Sequence, residues 1–244
     1  MLRFLCCCCF SSGENSNETQ PLLQPRPSEV SGSARQTRPA HSDAWTVKRI
    51  GRLVMRRVCV PELDQRFSDM AETFNEQQQR YEAMVKHIRN LQRSCDCTNN
   101  DSLALAECVG KIRKEHESKC RVSLKMKGYD FSLSVVEGES LGKSLPSRLQ
   151  LAQHEVKDIS ENARATISKG TTLQELIGWL LRSQDQMADQ VKGAAETYQE
   201  QGRLNENLEE NMREVKRAKE LSQGYRQQAG EVLTEAAQIA GAHV

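Results

Sequence analysis

Two long stretches of this chain repeat apolar residues at alternating spacings of four and three. Leu63, Phe67, Met70, Phe74, Tyr81, Met84/Val85, Ile88, Leu91 and Cys95 form the first, with Gln77 on the same stripe between Phe74 and Tyr81. Leu173, Ile177, Leu180, Met187, Val191, Tyr198, Leu208, Met212 and Val215 form the second, which runs for about six heptads. The intervening positions are mostly Asp, Glu, Gln, Lys and Arg. Such a stripe buries one face of a helix and leaves the other wet, so each helix needs a partner. The expected fold is therefore mostly α, an elongated helical bundle or coiled coil. Apolar residues are only 37% of the chain and aromatics 5%, which disfavours a large water-excluding pocket and hence an enzyme. No run approaches the ~18 apolar residues that a membrane-spanning helix requires.

Several details follow from the same periodicity. The second stripe shifts register near Leu204 and continues through Ala218, Tyr225, Ala229, Val232, Ala236 and Ile239. Gln184, Gln201 and Asn205 fall on it and read as polar layers that fix register. Gly170 reads as a helix break, with Thr171 or Thr172 capping the next helix and Glu175 completing a capping box with Thr172. Upstream, Leu149, Ala152, Val156, Ile159, Ala163 and Ile167 share a helix face, and a short helix from Ser102 to Lys119 turns Leu103, Ala106, Val109 and Ile112 inward. Gln77-Gln78-Gln79 reads as a solvated face. In the irregular insert 120–148 the period falls to two: Val122, Leu124 and Met126, then Phe131, Leu133 and Val135. These flank Lys127-Gly128-Tyr129-Asp130, which predicts a small β-hairpin over 121–136 with Gly at the first central position.

The first ten residues are of another kind. Cys6, Cys7, Cys8 and Cys9 are consecutive, too close for mutual disulfides or usual zinc spacing, and Leu2 excludes N-myristoylation. With Phe4, Leu5 and Phe10 beside them, they read as S-acylation sites, several of which give a lasting anchor. Residues 11–43, rich in Ser, Pro, Gln, Asn and Thr, read as a disordered tail. Within it Glu18, Leu22 and Leu23 match an acidic dileucine sorting signal, which implies clathrin adaptors as partners.

Net charge is only +1, which argues against nucleic acid as a partner, but the balance is uneven. Residues 1–60 hold nine Lys/Arg against four Asp/Glu, and five of the nine lie between Lys48 and Arg57. On a helical projection of 45–60, Val47, Ile50, Leu53, Val54 and Val58 share one sector, and Trp45 opens the segment as a further membrane contact. Lys48, Arg49, Arg52 and Arg56 occupy the opposite one, with Arg57 at the border. The expectation is a basic amphipathic helix lying on anionic membrane lipids.

That basic segment leads into Asp64-x-x-Phe67, Phe74, Gln77-Gln78 and the Tyr81-to-Leu91 stripe. The order over residues 45–95 resembles the start of amphiphysin- and Rvs-type BAR domains. The resemblance implies a segment that folds on the bilayer and opens the first long helix of a dimeric, curved coil, with Arg49, Val54 and Met55 at basic and apolar positions. The Gln layers of 173–215 also resemble those of SNARE helices, and the acylated tip with a Leu-Leu tail resembles the layout of lysosomal membrane-anchor subunits.

No metal or cofactor is expected. Cys95-x-Cys97 near His87 or His116 fits no standard zinc module, and Gly142-Lys143-Ser144 lacks the upstream spacing of a phosphate loop. The functional expectation is a non-enzymatic, lipid-anchored peripheral protein on the cytosolic face of an endosomal, lysosomal or plasma membrane. It would scaffold or curve that membrane through the basic helix and coiled-coil self-association. An adaptor subunit binding partner coils on endosomes or lysosomes is the alternative, and a SNARE-like fusion factor the third reading.

Overall fold

Three of the amphipathic runs are long enough to satisfy one another. The computed structural model describes residues 51–97, 105–118, 120–137 and 145–241. Within them α1 (Pro61–Ser94), α3 (Ser147–Arg182) and α5 (Tyr198–Ala240) pack as an up–down–up bundle. Cross-helix pairs give the directions. Arg66 meets Trp179 and His87 meets Glu155, so α1 and α3 are antiparallel. Tyr81 meets Gln228 and Gln78 meets Tyr225, so α1 and α5 are parallel. The fold is mostly helical with one two-stranded sheet, as the periodicity predicts.

The core is one continuous seam. It runs from Leu63, Phe67, Leu173, Leu180 and Leu204 at one end to Leu91, Leu149, Val232 and Ala236 at the other. Its centre differs from the expectation in two respects. Gln77 is fully buried, not solvated. Its Nε2 donates to the carbonyls of Thr166 on α3 (3.2 Å) and Ser222 on α5 (3.4 Å). Gly170 does not break the helix, for α3 passes straight through it. A Cβ there would lie 2.4 Å from Arg226 Cδ and from Gln77 Nε2, so the glycine permits close approach instead of ending the helix.

The expected long helix over 173–215 is three pieces. α3 ends at Arg182, α4 is Gln184–Ala194, and α5 starts at Tyr198 after an extended link. The side-chain cap lies at Thr197, not Thr172. The Thr197 hydroxyl accepts from the Glu200 N–H at 3.2 Å, and the Glu200 carboxylate accepts from the Glu196 N–H at 3.1 Å. Tyr198, assigned to the stripe, is consequently 88% exposed.

The remaining elements cap the distal end of the bundle. α2 (Leu105–His116) turns Leu105, Cys108, Val109 and Ile112 inward, with Ala106 exposed. The hairpin pairs β1 (Cys120–Lys127) with β2 (Asp130–Glu137), Leu124 opposite Leu133. Gly128 holds the first turn position at φ 60°. Val122, Leu124, Phe131 and Leu133 face the helices. Outward-facing main-chain groups find side chains there: Phe131 N–H donates to Ser160 Oγ, Gln153 donates to Leu133 O, and Arg113 to Val122 O. These bonds and the buried face stabilise a hairpin that would be marginal alone.

Candidate functional site

The segment leading into α1 is the least expected feature. Residues 51–60 form neither helix nor strand, with bends at Gly51 and Cys59, where a basic amphipathic helix was expected. The reason lies in two other elements. Asn75 on α1 brackets the main chain of Leu53, accepting its N–H at 2.7 Å and donating to its carbonyl at 2.9 Å. Asn211 on α5 does the same to Arg56, both bonds at 2.8 Å. Asn207 donates to Arg57 O and Asp64 accepts from Val58 N–H, each at 2.8 Å. A helical segment would have spent these groups on itself.

Burial along the segment is uneven. Leu53 and Val58 are buried between α1 and α5. Val54 is 75% exposed, so the apolar residues predicted to share one helical face are divided. Arg52, Arg56 and Arg57 are exposed, and Arg56 Nε pairs with Glu210 at 2.7 Å. The strap is thus a band of outward bases clamped by its backbone. Trp45, Val47, Lys48, Arg49 and Ile50 lie outside the described residues, as do Cys6–Cys9, Glu18, Leu22 and Leu23.

Leu173, Ile177, Leu180, Met187, Val191, Leu208, Met212 and Val215 are all buried, but inside a single chain and on three different helices. The stripe that was expected to serve self-association is therefore internal. Gln184 is exposed, and Gln201 and Asn205 are half-buried. The central polar contact of the core is formed instead by Gln77.

Two further clusters hold titratable groups. At the distal end Cys95, Cys97, Cys108 and Cys120 are buried free thiols. The Cys95 thiol is lowered to about 7, first by a hydrogen bond from Cys108, then by Ser94 and the Arg148 charge, against burial. Cys108 is pushed the opposite way by the same bond and by burial. On the α1–α3 surface His87 Nδ1 lies 2.7 Å from Glu155 Oε2 and 3.7 Å from Asp158, which also meets His154 at 2.7 Å. Among the described residues no group of three or more His, Cys, Asp or Glu side chains is arranged to hold a metal ion, and no helix is long and apolar enough to cross a membrane.

Neither the family models, the curated proteins nor the solved structures contain a match to this chain.

The functional residues that sequence reasoning missed are the clamps Asn75, Asn207 and Asn211. Asn207 and Asn211 do carry a signal, two amides one turn apart on the border of an apolar stripe. Their ligand, however, is about 150 residues away in sequence, beyond the reach of local periodicity.

Proposed function

We propose that this chain is a non-enzymatic, lipid-anchored peripheral protein of a cytosolic membrane face, acting there as an adaptor. The observation that carries the adaptor part is the burial of the Leu173-to-Val215 stripe within one chain. A stripe spent on the internal core leaves no long apolar seam among the described residues for a coiled-coil lattice, so partners would meet the polar surface of a finished bundle. Lipid anchoring rests on Cys6–Cys9 with their apolar neighbours, since two or more acyl chains hold stably where one does not. The exposed Arg52 and Arg57 support it, because exposed bases on a lipid-anchored chain favour anionic headgroups. The Glu18/Leu22/Leu23 signal would direct the anchored protein to endosomes or lysosomes.

A second reading, membrane curvature by a BAR-like coil, draws on the order of three long helices joined up–down–up. Both are tested with the full chain in cultured cells. Hydroxylamine-sensitive incorporation of an alkyne palmitate analogue is expected, together with recovery in the membrane fraction. Replacing Cys6, Cys7, Cys8 and Cys9 by Ser should abolish both. A quadruple variant that stays on membranes would sink the anchor. Tubulation of anionic liposomes by the purified chain would favour the curvature reading over the adaptor.

A further inference from the structure

The groove between α1 and α5 reads a main chain, and it does so without regard to where that chain comes from. Six hydrogen bonds from Asp64, Asn75, Asn207 and Asn211 go to backbone atoms of residues 53, 56, 57 and 58. Two side chains, Leu53 and Val58, fill the apolar sites below, and Arg56 pairs with Glu210 above. All six donors and acceptors belong to helices that the core holds in place. The strap itself is joined to them by only three residues, Cys59, Val60 and Pro61.

That joint is where the chain reverses. Cys59 has φ 58°, a left-handed conformation that a residue with a Cβ adopts at a cost. Its side chain is exposed, so no packing offsets that cost. Val60 is extended and Pro61 opens α1 with its φ already fixed. A short, strained hinge between a docked segment and a rigid body is the arrangement that favours exchange of the segment between copies.

We propose that the strap 52–58 is an exchangeable ligand, and that two copies dock their straps reciprocally, each in the α1–α5 groove of the other. Every hydrogen bond of the closed chain is re-formed in the exchanged pair. The same sites, Leu53 and Val58 included, are filled. What changes is the hinge: Cys59 leaves the left-handed region and the strap continues away from its own α1. The exchange is isologous, so it closes at two copies and needs no new apolar surface. It goes beyond the adaptor reading and does not depend on acylation.

The test uses the full chain produced without acylation, in reductant, with mass followed by light scattering over a concentration series. Cys59→Gly accommodates the left-handed turn and should favour the closed monomer. Cys59→Val disfavours that turn more than Cys does and should favour exchange. The dimerisation constant is expected to order Val, Cys, Gly, with about tenfold or more between the extremes. A photo-crosslinking residue in place of Met55 is then mixed with a tagged chain. Cross-links into α1 or α5 of the tagged chain, rising with the dimer fraction, are expected. Monomers at every concentration, equal dimerisation of the three hinge variants, or cross-links confined to one chain would each overturn the proposal. Circular dichroism of each variant separates these outcomes from a failure to fold.

Discussion

At the centre of the bundle, Gln77 and Gly170 share one site, and each explains the other. The Gln77 amide reaches two helix carbonyls only because Gly170 leaves room for Nε2. Alanine is the better helix former by about 1 kcal/mol, yet a Cβ at 170 would meet Arg226 Cδ and Gln77 Nε2 at 2.4 Å. Overpacking should win. Gly170→Ala is expected to lose ~1–3 kcal/mol in urea unfolding, and a gain in midpoint would show that the layer yields easily. Gln77 also carries a cost, since its Oε1 finds no partner among the described residues. The two carbonyls it serves lie within helices. Gln77→Leu should therefore raise stability by about 1 kcal/mol, and a clear loss would mean that the amide bonds outweigh the unpaired oxygen. The sequence placed Gln77 on the α1 stripe but showed neither its bonds to two helices nor the role of Gly170. Three adjacent glutamines look like surface, and nothing local shows that α3 and α5 converge on the first. The flanking aromatics were legible: Phe74, Tyr81 and Tyr225 lie on the stripes, and Tyr81 stacks on Tyr225 at 4.3 Å.

At the scale of elements, the helix termini depend on distant side chains. The N-terminus of α2 is capped by Glu235 of α5, whose Oε1 accepts from the Ala106 N–H at 2.9 Å. Burial raises the Glu235 carboxyl above its ordinary value more than its bonds to Ala106 and Leu105 lower it. A carboxyl raised on folding binds its proton more tightly in the native state. Its contribution is thus fully present below the unfolded carboxylate value and is lost as pH rises through the folded one. Glu235→Gln keeps an oxygen for the cap but cannot titrate. Its stability should not show the gain that the parent makes on acidification through that window, and parallel stability–pH curves would refute the assignment. Glu235→Leu, which removes the cap, should cost about 0.5–2 kcal/mol at neutral pH. The hairpin and the faces of α1 and α3 were legible because periods of two and 3.6 are local properties. The strap was misread for the opposite reason. Leu53, Val54 and Val58 fit a helical face, but Asn75 and Asn211, which clamp the backbone, are remote in sequence.

Across the whole molecule, support is unevenly distributed. α1, α3 and α5 each bury a stripe against two neighbours. α4 buries only Met187 and Val191 and packs chiefly on α5. It has no side-chain cap at its start, and it is bounded by Ser183 and an extended link at Ala195. A helix held on one side should open by itself, before the bundle unfolds. Native-state hydrogen exchange is expected to show the amides of 187–194 exchanging at a free energy well below that of α1. A mutational consequence follows. In a chain that unfolds as one unit, Leu180→Ala and Met187→Ala, both removing fully buried side chains, would each cost about 2–5 kcal/mol. If α4 opens locally, damage to it cannot lower global stability by more than its own opening free energy. Met187→Ala should then cost clearly less than Leu180→Ala in urea unfolding, while 187–194 exchange becomes almost unprotected. Equal losses, with α4 amides protected as well as those of α1, would mean that the link at 195–197 couples α4 to the bundle as firmly as a continuous helix.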